Sequence, residues 1–110
     1  MKIVLSSYAE FKLGRLINYL QRKWNAELAK KYLEEIDATL LLITYYLLLI
    51  SNFPEMFPTY EEDTEIRKAV ISKHNSVLYE IKDDLIFVLT FSDNRQKKES
   101  VMKELKKYLN

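Results

Sequence analysis

Leu85-Ile86-Phe87-Val88-Leu89 puts five apolar side chains in a row, and the run continues through Thr90 to Phe91. A strand with one wet face alternates, so a β-prone run that is apolar on both faces reads as a central strand covered from both sides. Its N-terminal neighbour, Ser76 to Ile81, sets Val77, Tyr79 and Ile81 against Leu78 and Glu80, and is joined to it through Lys82-Asp83-Asp84. A further short run, Ile66 to Ile71, precedes it across Lys73-His74-Asn75, which predicts a meander of three antiparallel strands with Leu85 to Phe91 as its spine.

Working back towards the N-terminus, the pattern becomes helical. Leu40 to Ile43 and Tyr45 to Ile50 are apolar on every face, so periodicity does not separate helix from strand there, but the run continues Leu28, Tyr32, Leu33, Ile36 and Leu40, spaced by threes and fours. We therefore read a helix that opens on Asn25 as N-cap with Glu27 in its first turn. It ends at Ser51-Asn52-Phe53-Pro54, where proline supplies no amide donor and forces the preceding residue out of the α region. An earlier helix starts near Tyr8, after Ser7 with Glu10 three residues on, a capping-box spacing. Its apolar stripe is Leu13, Leu16, Ile17 and Leu20; Lys12, Arg15, Asn18 and Arg22 lie opposite, and the two helices join as a hairpin at Trp24-Asn25. Lys2 to Leu5 reads as a first short strand, and Val101, Leu105 and Tyr108 are spaced for a short basic C-terminal helix over Ser100 to Tyr108. The predicted fold is α+β: an N-terminal strand, a two-helix hairpin, then a mainly antiparallel three-strand meander completing a four-stranded sheet, with a short C-terminal helix.

At 110 residues with a single Gly and two Pro, the chain has the size of one domain, residues 1–110, with no linker or repeat. With no Cys it has no disulfide, thiolate metal site or Cys nucleophile, which fits the cytoplasm. The start Met1-Lys2-Ile3-Val4-Leu5 is too short an apolar run for a signal peptide, and Leu40 to Ile50 is far shorter than the roughly 20 residues that span a bilayer, so no membrane role is expected. No Gly-rich phosphate loop or metal-ligand cluster is present, so no cofactor is expected. Net charge is +1, unevenly spread. Glu55, Glu61, Glu62, Asp63 and Glu65 make an acidic connector, whereas Arg95, Lys97, Lys98, Lys103, Lys106 and Lys107 make a basic tail against Glu99 and Glu104. That tail suits either nucleic acid or a solvated helix face.

Several stretches, in this order and with this element string, resemble the RelE/ParE toxin superfamily of bacterial type II toxin–antitoxin systems. They are Tyr19-Leu20 leading to Trp24, Phe53-Pro54-Glu55-Met56-Phe57-Pro58, Ile66-Arg67-Lys68, Lys73-His74-Asn75-Ser76, Tyr79-Glu80-Ile81-Lys82-Asp83-Asp84 and Phe91-Ser92-Asp93-Asn94-Arg95-Gln96. The resemblance spans nearly the whole chain but is weak for any one activity. It implies a growth-inhibiting toxin neutralised by a cognate antitoxin, with DNA gyrase as target in a ParE-like reading and mRNA on the ribosome in a RelE-like one.

RelE-like nucleases drive a ribose hydroxyl onto the adjacent phosphate, which needs cations for the developing charge and a group that moves protons. The resemblance places Arg95 as the phosphate-contacting arginine. His74, the only histidine, sits beside Lys73 in the predicted hairpin connection, and the two are candidate partners in catalysis if that loop folds over the groove. Where such nucleases carry an aromatic or His proton carrier a few residues later, this chain has Val101. That gap favours a ParE-like inhibitor acting by binding, with the metal-independent endoribonuclease as the alternative and a non-toxic interaction module that keeps the fold as a third reading. Arg67, Lys68, Asn94, Lys97 and Lys98 are candidate target or nucleic-acid contacts. Equally, strand cations guard an edge, and an Asn before a terminal Arg fixes a turn. Trp24 and Tyr79 read as packing residues. The block around Tyr45-Tyr46 is longer and more apolar than its counterpart in similar toxins; any surplus beyond the sheet would form an exposed patch, which makes Leu41, Tyr45 and Leu48 candidate antitoxin contacts and a toxin–antitoxin hetero-oligomer the expected assembly.

Overall fold

A computed structural model describes the backbone of residues 1–22, 29–60 and 65–109, and the side chains of these apart from residues 16–37, 39 and 109. The elements run β1 (Lys2–Leu5), α1 (Ser7–Arg22), α2 (Ala29–Asn52), β2 (Arg67–Val70), β3 (Asn75–Lys82), β4 (Leu85–Asp93) and α3 (Lys98–Leu109). Strand order in the sheet is β1-β4-β3-β2, with β1 parallel to β4 and the other pairs antiparallel. The α+β architecture, the central position of β4 and the C-terminal helix agree with the sequence reading. The proposed hairpin joint at Trp24-Asn25, with Glu27, lies outside the described residues.

Side chains on the two faces of the sheet build two cores. Val77, Tyr79, Ile86, Val88 and Phe91 meet Ala9 and Leu13 of α1 and Ile43, Tyr46, Leu47 and Ile50 of α2. On the opposite face Leu78 and Leu89 meet Val101 and Leu105 of α3, with Tyr60, Ile66, Phe87 and Met102 packed around them. Helical cover on both faces is why β4 is apolar on both sides from Leu85 to Leu89. Strict alternation breaks once: Tyr79 pairs with Val88 but Leu78 with Thr90, so Leu89 is an extra residue on β4. This bulge puts Val88 and Phe91, three apart, on the same helix-facing side.

Local chemistry sets the joints. The α1 cap is Ser6, one residue earlier than the Ser7 expected: Ser6 Oγ accepts from the Ala9 amide at 2.9 Å and donates to Leu89 O at 2.8 Å. Ser6 also donates its own amide to Val88 O, so the end of β1 and the start of α1 are fixed onto β4 by this single serine. The β3–β4 turn holds Asp83 and Asp84 at φ 51° and 65°, a mirror-image two-residue turn built without glycine, which Asp tolerates better than most residues. At the other end, α2 stops at Asn52 before Phe53-Pro54, as the proline requires. Among the described residues, no helix is long and apolar enough to cross a membrane.

Candidate functional site

The end of β4 and the β2–β3 connection form one rim of the sheet. Asn75 pairs with Asp93, so Lys73 and His74, just before β3, stand beside Asn94 and Arg95, just after β4. Asn94 locks the two together. Its amide donates to His74 O at 2.9 Å, and its side-chain amide donates to Ser72 O at 2.9 Å and Lys73 O at 3.2 Å. Its side-chain oxygen accepts from the buried Ser76 hydroxyl. Asn94 thus closes the hairpin, and these bonds occupy both ends of its side-chain amide.

Arg95 is exposed and forks onto the carboxylate two residues back. Its Nη2 lies 2.7 Å from Asp93 Oδ2, its Nε 3.0 Å from Oδ1, and its backbone amide 2.9 Å from Oδ1. These bonds hold the Asp93 carboxyl well below the usual carboxylate range, and nearby His74 adds a smaller push in the same direction. Asp93 therefore stays ionised at neutral pH. It accepts hydrogen bonds and has no proton to give, and a phosphate approaching the guanidinium has to compete with it. Lys73 and His74 are exposed on the same rim. Val101, where the resemblance places a proton carrier, is 3% exposed and part of the α3 core.

The remaining candidates fall elsewhere. Arg67 Nη1 donates to Phe57 O at 2.5 Å and Glu55 O at 3.2 Å, while Tyr79, its partner across the β2–β3 pair, donates its hydroxyl to Pro54 O at 2.7 Å. Arg67 and Tyr79 together pin the loop after α2, and burial pushes the Tyr79 hydroxyl up to about 12. Lys68 and Lys98 approach the Tyr60 ring, their ammonium nitrogens 5.1 and 5.3 Å from its centroid, on the α3 side of the sheet. Lys97 precedes α3 and accepts the Val101 amide. So the structure gathers Lys73, His74, Asn94 and Arg95 at one rim, and places Arg67 against the loop after α2 and Lys68 and Lys98 at the Tyr60 ring.

Leu41, Tyr45 and Leu48 lie at i, i+4 and i+7 on the outer side of α2 and are 57–70% exposed, while Ile43 and Ile50 of the same helix are buried. No residue from Thr39 to Pro54 carries a charge. A contiguous apolar surface of this kind on a small protein usually marks a contact site.

A second basic surface was not anticipated by the sequence reading. Between α1 and α3 lies a groove of about 520 Å³ lined by Lys12, Arg15, Lys103 and Lys107 with Tyr8, Phe11 and Tyr108. The available signal was spacing. Tyr8, Phe11, Lys12 and Arg15 fall at i, i+3, i+4 and i+7, and Ser100, Lys103, Glu104, Lys107 and Tyr108 form the same kind of stripe on α3. Among the described residues, no group of three or more His, Cys, Asp or Glu side chains is placed to hold a metal ion.

No protein-family model matches the chain, and no curated protein matches it significantly. Among solved structures it is similar to a copper-bound single-substitution variant of a toxin from Helicobacter pylori, at 14% identity and a TM-score of 0.56, over 86% of this chain and 94% of that one. At that identity the likeness is one of fold: this chain has the fold of a Helicobacter pylori toxin.

Proposed function

We propose that residues 1–110 form the toxin half of a type II toxin–antitoxin pair of the RelE/ParE kind, a cytoplasmic growth inhibitor that acts by binding its target and is neutralised by a cognate antitoxin. The observation that carries this reading is the fold match along 94% of a toxin's length. A fold alone does not fix a function, so the surfaces must agree with it, and two do. The uncharged stripe Leu41, Tyr45 and Leu48 offers an antitoxin helix or strand an apolar track. The rim favours binding over cutting, because Arg95 is engaged by Asp93 and the position expected to move protons is buried Val101. DNA gyrase is the target the resemblance suggests.

The placement of Lys73, His74 and Arg95 on one rim supports a second reading, a metal-independent endoribonuclease acting on mRNA in the ribosome. Induced expression separates the readings. Growth arrest with blocked gyrase supercoiling and intact mRNA supports the inhibitor; mRNA cleavage on translating ribosomes that is lost in Arg95→Ala supports the nuclease. Absence of any growth arrest would leave only a non-toxic interaction module. Co-expression of the neighbouring small reading frame should restore growth, and Leu48→Glu should abolish that rescue while leaving the arrest intact.

A further inference from the structure

The groove between α1 and α3 combines charge and rings in a way the toxin reading does not use. Tyr8 and Tyr108 stack with ring centroids 4.6 Å apart and planes 10° from parallel, and Phe11 extends the row at 6.5 Å and 21°. Each ring has a cation near its centroid: Lys12 at 5.8 Å from Tyr8, Arg15 at 5.8 Å from Phe11, and Lys107 at 5.2 Å from Tyr108. Lys103 is the fourth cation of the lining.

The single carboxylate in the groove does not neutralise them. Glu104 Oε2 accepts the Tyr8 hydroxyl at 2.9 Å and Oε1 accepts the Gln96 amide at 3.0 Å, so both its oxygens are held by neutral donors. None of the four cations forms an ion pair among the described residues. Four cations and one carboxylate give the lining a charge of +3, against +1 for the whole chain. A local excess of that size attracts a polyanion. The rings then indicate which polyanion. Phe11 and Tyr108 are 56% and 53% exposed, and an exposed ring beside cations is the arrangement that stacks unpaired bases while the cations take phosphates. Bases within a duplex already stack on one another and offer no free face. An acidic peptide would use the cations but not the rings, and the surface suited to a protein partner is the uncharged side of α2. A lysine above a ring keeps donors available for a phosphate, because its ammonium carries three.

We infer that this groove binds single-stranded nucleic acid, with phosphodiester groups on Lys12, Arg15, Lys103 and Lys107 and bases stacked on Phe11 and Tyr108. This activity is separate from growth inhibition. Gln96 nevertheless links the groove floor to the turn that carries Arg95, since its amide nitrogen bonds Asp93 O at 3.0 Å.

The test is fluorescence anisotropy of labelled oligo-uridine and oligo-thymidine with the full chain. Binding of either supports the inference, and the tighter one identifies RNA or DNA as the occupant. Affinity should fall by roughly tenfold or more between about 50 and 200 mM salt. Lys103→Glu with Lys107→Glu should weaken binding by about tenfold or more. Phe11→Leu with Tyr108→Leu, which leaves the charge unchanged, should weaken it by about fivefold or more. Each single variant is measured beside its double, with circular dichroism to confirm the fold, so that one variant failing to fold leaves the others to decide. The inference fails if a duplex or polyglutamate binds as tightly as the single strands, or if the ring variants bind like the parent. Either result stands apart from the growth-arrest assay, which reads the toxin proposal.

Discussion

The rim around Arg95 and the groove between α1 and α3 are both basic, and each contains one carboxylate, but the carboxylates are used in opposite ways. At the rim, Asp93 takes the guanidinium itself, through bonds of 2.7 to 3.2 Å. In the groove, Glu104 is held by a phenol and an amide, and the cations stay available. The difference shows that counting cations along a sequence does not locate a polyanion site; what matters is whether the nearest carboxylate already has other partners. By this measure the groove, rather than the rim, is the surface prepared for an anion.

The largest effect expected is that of Asn94→Ala, which leaves the fully buried Ser76 hydroxyl and two connection carbonyls without their partner. It should cost about 2–3 kcal/mol in urea unfolding. If it also weakened oligonucleotide binding, the two regions would be one cooperative unit and the contrast between them would fail.

Next is Glu104→Gln, which should cost about 1 kcal/mol by replacing a charged acceptor with a neutral one, and should tighten oligonucleotide binding several-fold by raising the groove charge. Burial first, and then Glu104, push the Tyr8 hydroxyl from 10.0 up to about 12, so its ultraviolet titration midpoint should move back towards 10 in the variant. A raised folded value means that the stability contributed by protonated Tyr8 is complete below about pH 10 and is lost as pH climbs through 12. Tyr79 follows the same sign, so the parent should lose stability steeply on the alkaline side, and Glu104→Gln should keep only the Tyr79 share of that loss undiminished.

Smaller again, Gly14→Ala should stabilise α1, the groove wall, by about 0.5–1 kcal/mol, because an added Cβ meets nothing within 4 Å. Smallest is Asp93→Asn, worth no more than ~0.5 kcal/mol at neutral pH, because the Arg95 side chain is 72% exposed and solvent screens the pair. Its signature lies in acid. A depressed Asp93 stabilises the fold above its ordinary value near 3.8 and loses that contribution as pH falls below it, so the variant should show a flatter acid limb. It should also make Arg95 more available to anions, bringing the rim closer to the groove in behaviour.

How far these regions were legible in the sequence depends on how local their determinants are. The two-sided apolar run from Leu85 placed β4 at the centre of the sheet, because burial on both faces leaves its trace in consecutive residues. The helical state of Leu40–Ile50 and the tight turn at Asp83-Asp84 were also readable, from spacing and from turn residues. The α1 cap was misplaced by one residue because Ser6 and Ser7 are equivalent in composition, and pairing with β4 chose between them. The groove escaped notice because Tyr8 meets Glu104 across 96 residues; each stripe alone reads as a solvated helix face, and only the approach of α1 to α3 turns two such faces into a lining. At the rim, the position of Arg95 at the end of the spine strand is legible in the sequence, but its bond to Asp93, two residues back, depends on the turn after β4 and is not.

The parallel pairing of Lys2 with Leu85 and of Leu5 with Val88 joins β1 to β4, the first and last strands among the described residues. During translation β1 therefore has no sheet neighbour until some eighty further residues have been made, and closing so long a loop is entropically slow. The nascent chain stays without its finished sheet, and without any surface that depends on it, until β4 has been made. Any contact that reads the finished sheet is thereby delayed until the fourth strand has joined the first.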